Sequence, residues 1–350
     1  MPDDLTKHAI PPAFTRRAHR AGDDRLLLEL LLLGFGTWPK VEVQCDPIDH
    51  LRWKLSNTAE APGIHRITEV DGKPAASVFC WIQNVKIRDR LYRNIQGVDH
   101  VAHPEFQGRG LVAARTEWRR NNPDDQPCDF QFGPLSGHPA MVHMRQRAQQ
   151  AGTSLGIGNR VRVLTLPLLD DAGARVEQAL LSPEPCDFTI RVAESFDDRI
   201  DDFWLTGAEP YDFIVERTKD YMNWRYADPR AGLFSIHLAE RDGELLGYST
   251  LRLSHERGYI ADLLTLPDCL DVAEVLLEDA VVTLAALAVT RIDWWIPLRH
   301  PYQQLARARG FVDKRIVDIG LFPHNPALDL TFLADPSVPV HFAAGDTDLV

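Results

Sequence analysis

Between Val98 and Arg115 the chain, reading "VDHVAHPEFQGRGLVAAR", collects residue types that bind anions and move protons. A strand-like run ends at a proline, a turn with two glycines follows, and an apolar, alanine-rich segment then opens. Glycines at the end of a strand let the backbone approach a ligand, and a following helix offers unpaired N–H groups. Together they make an anion seat, suited in particular to a pyrophosphate. Gln107, Gly108, Arg109, Gly110, Leu111 and Val112 would supply the main-chain donors, and the Arg109 guanidinium would add charge. The plainer account of the same residues is a tight turn that needs two glycines for its shape. The stretch is neither a phosphate loop, since no Gly-Lys-Ser/Thr follows, nor a G-x-G-x-x-G dinucleotide fingerprint. Side chains alternate along a strand, which places Asp99, Val101 and His103 on one face and His100 and Ala102 on the other. The Asp99 carboxylate and the His103 imidazole are the candidate proton acceptors; each also has an ordinary structural reading. No metal is expected. His100 and His103 have opposite parity, and His138 and His143 are five apart rather than on one helical face.

The elements that must position these residues occur twice. Leu51 to Ser77 and Met222 to Ser249 share a Trp followed by a basic residue, a polar loop, an alternating strand, an Asp-Gly turn and a second strand. Trp53 to Asp71 and Trp224 to Asp242 both span 18 positions. Asp-Gly between alternating segments is a strong hairpin signal. "VDHVAHP" then parallels "IADLLTLP" (Ile260 to Pro267), with five positions from Asp99 to Pro104 and five from Asp262 to Pro267. A helix-length segment, a buried strand ("CDFQFGPL" against "RIDWWIPL"), a His-Pro pair (His138-Pro139, His300-Pro301) and a short helix ending at Gly152 or Gly310 complete each copy. The strand at 98–102, a helix and the strand at Phe130–Leu135 read as a parallel βαβ crossover. Two tandem units follow, 1–170 and 187–350, joined by a linker over 171–186 that is rich in Asp, Pro and Ala.

Composition excludes several classes. Of 350 residues 45% are apolar and 25% charged, a globular profile, and the longest greasy run, Leu26–Leu33, is too short to span a bilayer. No signal-peptide pattern is present. Five cysteines lie far apart without a C-x-x-C pair, which points to a reducing cytoplasm rather than a disulfide framework. The net charge of −12 argues against nucleic acid as a partner. Trp53-Lys54 and Trp224-Arg225 read as core packing beside a solvated basic neighbour, and Trp294-Trp295 as core. The ending "GDTDLV" (Gly345–Val350) reads either as a free acidic end or as a last strand docked on the body.

"HPEFQGRGLVAAR" resembles motif A of the GNAT (GCN5-related N-acetyltransferase) superfamily, Gln/Arg-x-x-Gly-x-Gly/Ala after a strand ending in x-Pro. Gln107 and Gly110 fill the first and fourth positions; Val112 departs from the pattern at the sixth. The likeness covers nearly the whole chain in two copies, with the specific motif only in the first. It implies an α+β (α/β) protein of two tandem GNAT-like units, each a mixed twisted sheet flanked by helices. It implies acyl-CoA as cofactor, acetyl-CoA or another, with pyrophosphate on the Gln107–Val112 turn. The backbone of Val101, Ala102 and His103 would then pair with the pantetheine arm. The expected activity is acyl transfer to a small-molecule amine, with Asp99 or His103 as base. The position of the family's usual thiolate-protonating tyrosine holds Arg145 here, and no Tyr lies between Cys128 and Gly152. Two alternatives stay open: a non-catalytic GNAT-like binding or scaffold protein, and a CoA-thioester enzyme that acts on a hydroxyl or thiol acceptor or decarboxylates malonyl-CoA. The second copy reads "DCLDVAEV" (Asp268–Val275) where the first has its glycine turn. Two carboxylates in place of the glycines oppose a phosphate, so CoA is expected in the first copy alone.

Overall fold

The structure is a computed structural model that describes residues 14–56, 64–109, 111, 128–134, 146, 150, 154–169 and 187–350. Gly110, Val112, Ser136, His138, His143, Arg145 and the 171–186 linker lie outside the described residues. Among the described residues, the chain opens with β1 (Phe14–Ala18), β2 (Ile64–Val70), β3 (Lys73–Ile87), β4 (Arg90–Ala102), β5 (Phe130–Pro134) and β6 (Leu155–Gly156), all in the first sheet. The chain continues through β7 (Val161–Pro167), β8 (Thr189–Ala193), β9 (Phe213–Val215), β10 (Phe234–Arg241), β11 (Glu244–Ser254), β12 (Arg257–Thr265), β13 (Arg291–Pro297), β14 (Val312–Val317) and β15 (Ile319–Pro323). With the helices that flank them, these strands give the expected α+β architecture of two mixed sheets.

The turn signals in the sequence act as their chemistry requires. Asp71-Gly72 closes β2 on β3, and Asp242-Gly243 closes β10 on β11, each pair with positive φ at both residues. A two-residue loop needs that backbone to match the twist of the strands it joins. β4 pairs with β5 in parallel at Asn94↔Phe130 and Ile95↔Gln131, and β12 pairs with β13 in parallel from Arg257↔Arg291 to Ile260↔Trp294. β13 is apolar on both faces, Trp294 and Trp295 included, because a central strand is covered on both sides. The helix Leu270–Ala286 buries Val272, Leu276, Leu277, Ala280, Val281 and Leu284 on that sheet, the spacing of a helical stripe.

Strands β7 and β15 change places between the sheets, and β9 leaves the second half to pair with β3. The order of the first sheet is β1-β2-β3-β4-β5-β15-β6, with β9 also on β3, and that of the second is β14-β7-β13-β12-β11-β10-β8. β7, early in the chain, therefore sits between β14 and β13, and β15, late in the chain, sits between β5 and β6. The two crossings pass close together: Arg160 and Asp318 approach to 3.7 Å. At the first crossing Gly158 lies against the backbone of the 329–337 segment, donating to Leu333 O at 2.8 Å. A Cβ there would fall 2.0 Å from Ala334 O. The core consequently runs between the sheets, with Phe130 and Phe132 of β5 meeting Phe213, and Phe132 meeting Phe342 near the chain end. No helix among the described residues is long and apolar enough to cross a membrane.

Candidate functional site

β4 carries the candidate residues, and its geometry follows from one bulge and one fork. Its pairing with β3 slips between Ser77↔Val101 and Phe79↔Val98, so that two residues of β4 oppose one of β3. Asp99 sits in the slip with φ +46°, a left-handed backbone rare for a side chain other than Gly, Asn or Asp. Strict alternation thus breaks at Asp99, and parity alone does not place its side chain. β12 carries the matching irregularity between Thr250↔Asp262 and Leu251↔Ile260. The fork begins after Ile95, where pairing with β5 ends among the described residues while β4 runs on to Ala102. The helix Asp24–Phe35 holds this overhanging stretch from the side. Its Gly34 packs so closely that a Cβ would lie 2.1 Å from Val101 Cγ2.

Beyond Ala102 the chain makes the expected turn. His103 Nδ1 accepts from Glu105 N–H at 3.2 Å and caps a short 3-10 turn over Pro104–Phe106, while its own N–H donates to Ala75 O. Gln107 reaches back, Nε2 donating to Ala102 O at 3.3 Å, and Gly108 takes φ +76°. The N–H groups of Gln107 and Arg109 are bonded within the turn only at 3.4 Å, longer than a well-formed bond, so an anion competes for them at little cost. Arg109 lies over the Phe106 ring, and Arg16 reaches the buried Leu111, donating to its carbonyl at 2.8 Å. Asp99 is elsewhere: its carboxylate is 2.5 Å from Lys54 Nζ. The candidate base pair Asp99 and His103 is thus divided between an interior ion pair and an end-of-strand cap.

The interior ion pair leads to residues not singled out from the sequence. Lys54 is buried, lies over Trp38 and Trp81, and approaches Asp348 at 3.5 Å as well as Asp99. Arg225 is buried too, donating through Nε to Gly345 O and through Nη2 to Thr347 O and Val350 O at 2.6–2.9 Å. Trp53 and Trp224 stack at 5.0 Å, and each indole donates to the other's carbonyl, at 2.8 and 3.3 Å. The two Trp-basic pairs are therefore related as halves of one joint. Their basic members are not solvated, as the sequence suggests, because Asp99 and the chain's last ten residues, which fold back between the sheets, take up their donors. The acidic end docks without forming a strand in either sheet.

That returning segment also fills the second fork. His341 and Phe342 enter between β12 and β13 beside Leu263, Trp295, Ile296 and His300, leaving a cavity of about 10 Å3, room for about one water. Asp262, the counterpart of Asp99, is held by Arg217 Nε (2.9 Å), Tyr248 OH (2.7 Å) and His341 Nε2 (3.0 Å). Burial alone would raise its pKa, but the Arg217 charge and the His341 and Tyr248 hydrogen bonds hold it below the usual carboxylate range. Asp346 shares Arg217, at 2.8 Å; burial raises its pKa, and the neighbouring Asp262 charge adds to that against the guanidinium. Burial likewise raises Asp348, opposed by Lys54 and reinforced by Asp99.

Buried histidines set the response to acid. Desolvation holds His50 and His65 down at about 3 and His300 well below 6.5. An unfolded chain would take up these protons below pH 6.5 and the native one refuses them, so stability falls as pH drops from about 6.5 toward 3. Each group contributes about 1.4 kcal/mol per pH unit below 6.5, or roughly 2 kcal/mol by pH 5. Asp346 and Asp348, whose folded pKa values are raised, act in the opposite sense as pH falls toward 3.8. Urea unfolding midpoints at pH 7.5, 6 and 5 are expected to fall steadily. A midpoint that holds level down to pH 5 would contradict neutral burial of these rings.

No protein-family model matches the sequence, and no curated protein matches it either. Solved structures do match its fold. A tandem GNAT protein from the clavulanic acid biosynthesis pathway aligns with 90% of this chain and all of its own length, at TM-score 0.60 and 12% identity. A GCN5-related N-acetyltransferase from Anabaena variabilis aligns over 88% of this chain and 72% of its own, at TM-score 0.62 and 12% identity. The N-myristoyltransferase of Saccharomyces cerevisiae, with myristoyl-CoA bound, aligns over 88% and 80%, at TM-score 0.60 and 12% identity. The chain has the GNAT fold in its two-unit form.

Proposed function

We propose that this chain is an acyl-CoA-dependent acyltransferase, of the N-acetyltransferase type, that moves an acyl group from acetyl-CoA or another acyl-CoA to a small-molecule amine. One observation carries the reading: β4 runs past its last pair with β5 and ends in a glycine turn whose N–H groups are weakly engaged. A pantetheine arm would lie along Val101, Ala102 and His103, and the pyrophosphate would meet Gln107, Gly108, Arg109, Gly110, Leu111 and Val112. The residues fit such a group in sign as well as shape, since Arg109 and Arg16 flank the turn. When bound, CoA supplies the activated thioester. The first unit (1–170) would hold it, and the second (187–350), whose fork its own chain end fills, would close the acceptor side.

The test is calorimetric titration with CoA. Gly110→Asp puts a carboxylate where the pyrophosphate would sit and is expected to weaken binding at least about tenfold, roughly 1.4 kcal/mol or more. Undiminished binding removes the basis for the seat. A second reading, a non-catalytic GNAT-like binding protein, has one observation in its favour: Asp99 is tied to Lys54 rather than free to take a proton. A screen of amines with acetyl-CoA, reading released thiol, separates the two, because turnover above background rejects it.

A further inference from the structure

Asn94, Gln83 and Gln96 lie on one face of β3 and β4, all buried, and their amides form a directed chain. Phe132 N–H donates to Asn94 Oδ1 at 2.8 Å, Asn94 Nδ2 to Gln83 Oε1 at 3.1 Å, and Gln83 Nε2 to Asp346 O at 3.1 Å. Gln96 Nε2 donates to the same Asp346 carbonyl at 3.1 Å, which fixes the sense of its amide: turned over, its oxygen would face a carbonyl oxygen. The chain therefore ends on Gln96 Oε1, and that oxygen has no partner although it is buried. Its cross-strand partner, Trp81, only 1% exposed, carries a second orphan, the indole Nε1 donor. Directly opposed residues on one face stand about 4.5–5.5 Å apart at Cβ. An unpaired acceptor and an unpaired donor thus belong to neighbouring side chains on one face.

Gln96 is also the first β4 residue past the last pair with β5, and a Cβ on Gly133 would come within 3.8 Å of its Cγ. A ligand lying in the fork from the Gln107 end would terminate here. We propose that Gln96 Oε1 and Trp81 Nε1 together hold a hydroxyl group at the reacting end of the ligand, the hydroxyl donating to Gln96 and accepting from Trp81. A hydroxyl donates one hydrogen bond and accepts another, and so satisfies both atoms at once. A methyl in its place leaves two buried polar atoms unpaired, and such sites discriminate strongly against the analogue that lacks the hydroxyl. The acyltransferase reading bears on this only through the hydroxyl's source, which is either a hydroxyacyl thioester or a hydroxylated amine acceptor.

Matched probes test it. 3-Hydroxybutyryl-CoA is compared with butyryl-CoA by calorimetry. Ethanolamine is compared with propylamine, in the presence of CoA, likewise by calorimetry. In at least one pair the hydroxyl compound is expected to bind tighter by about tenfold or more, and the preference should collapse toward unity in Gln96→Met and Trp81→Phe. The pair that shows the preference names the source. No preference in either pair, or one that survives both substitutions in variants whose unfolding midpoints match the parent's, overturns the hydroxyl site. Failure of CoA itself to bind the parent chain overturns the acyltransferase reading instead, and the two amines then judge the site alone.

Discussion

Arg217→Met is expected to lower stability by about 3–5 kcal/mol, the cost of leaving a buried charge without its partner. Methionine keeps the length and packing of the stem, so the change reports the guanidinium rather than a cavity. Arg217 is fully buried, and two equally buried carboxylates, Asp262 and Asp346, depend on it. Its other donor, Nη1, reaches Val215 O at 2.7 Å. Without it, Asp262 keeps Tyr248 and His341, and Asp346 keeps the Ala343 N–H at 2.9 Å, neither of which supplies a fixed positive charge. Both carboxyls would then be driven toward protonation, so the loss should shrink as pH falls. Adding Asp346→Asn removes one stranded charge and should recover part of it. Urea midpoints of the single and double variants measure both effects. A single variant within 1 kcal/mol of the parent would mean that the three-way cluster is not what holds the chain end.

Arg225→Met should be nearly as costly and should fail in a different way. Arg225 bonds only backbone carbonyls of the returning segment, those of Gly345, Thr347 and Val350. Each acceptor left buried without a donor costs about 1–3 kcal/mol, so three give roughly 3–9 kcal/mol if the segment stays in place. It has a cheaper response, which is to leave. Amide hydrogen exchange should therefore rise across 341–350 before it rises in β10 to β13, and a protease should gain access to the chain end. Exchange that rises uniformly over the second sheet would instead show that the segment and the sheet open as one unit.

Much of this arrangement could be read from local pattern. Asp71-Gly72 and Asp242-Gly243 announce hairpins because few residue pairs accept that backbone. The alternation and spacing around Trp53 and Trp224 announce a duplicated unit because the same local physics recurs. What escaped is of another kind. β7 and β15 have the same pattern whichever sheet they join, since alternation tells a strand which way to face and not whom to pair with. The positive φ of Asp99 broke the parity that set it beside His103. Lys54 and Arg225 looked solvated because their partners, Asp99 and the chain's last residues, lie far away in sequence. One signal was available: Asn94, Gln96, Trp81 and Gln83 put polar atoms at every second position of two strands that otherwise read as buried. A buried polar row with no evident partner marks a place where the chain expects one.

The crossed strands bear on how the molecule can be made. A ribosome that has delivered everything through β7 has released a sheet whose β5 still lacks its neighbour, since β15 begins only at Ile319. It has also released β7, whose partners β13 and β14 are still to come. Until those arrive, one edge of β5 and both edges of β7 stand open on the nascent chain, and such edges are templates for pairing with the wrong molecule. The earlier half must wait, uncommitted, for a strand made almost last. The duplication that gives the chain two similar halves has therefore not left either of them able to finish alone.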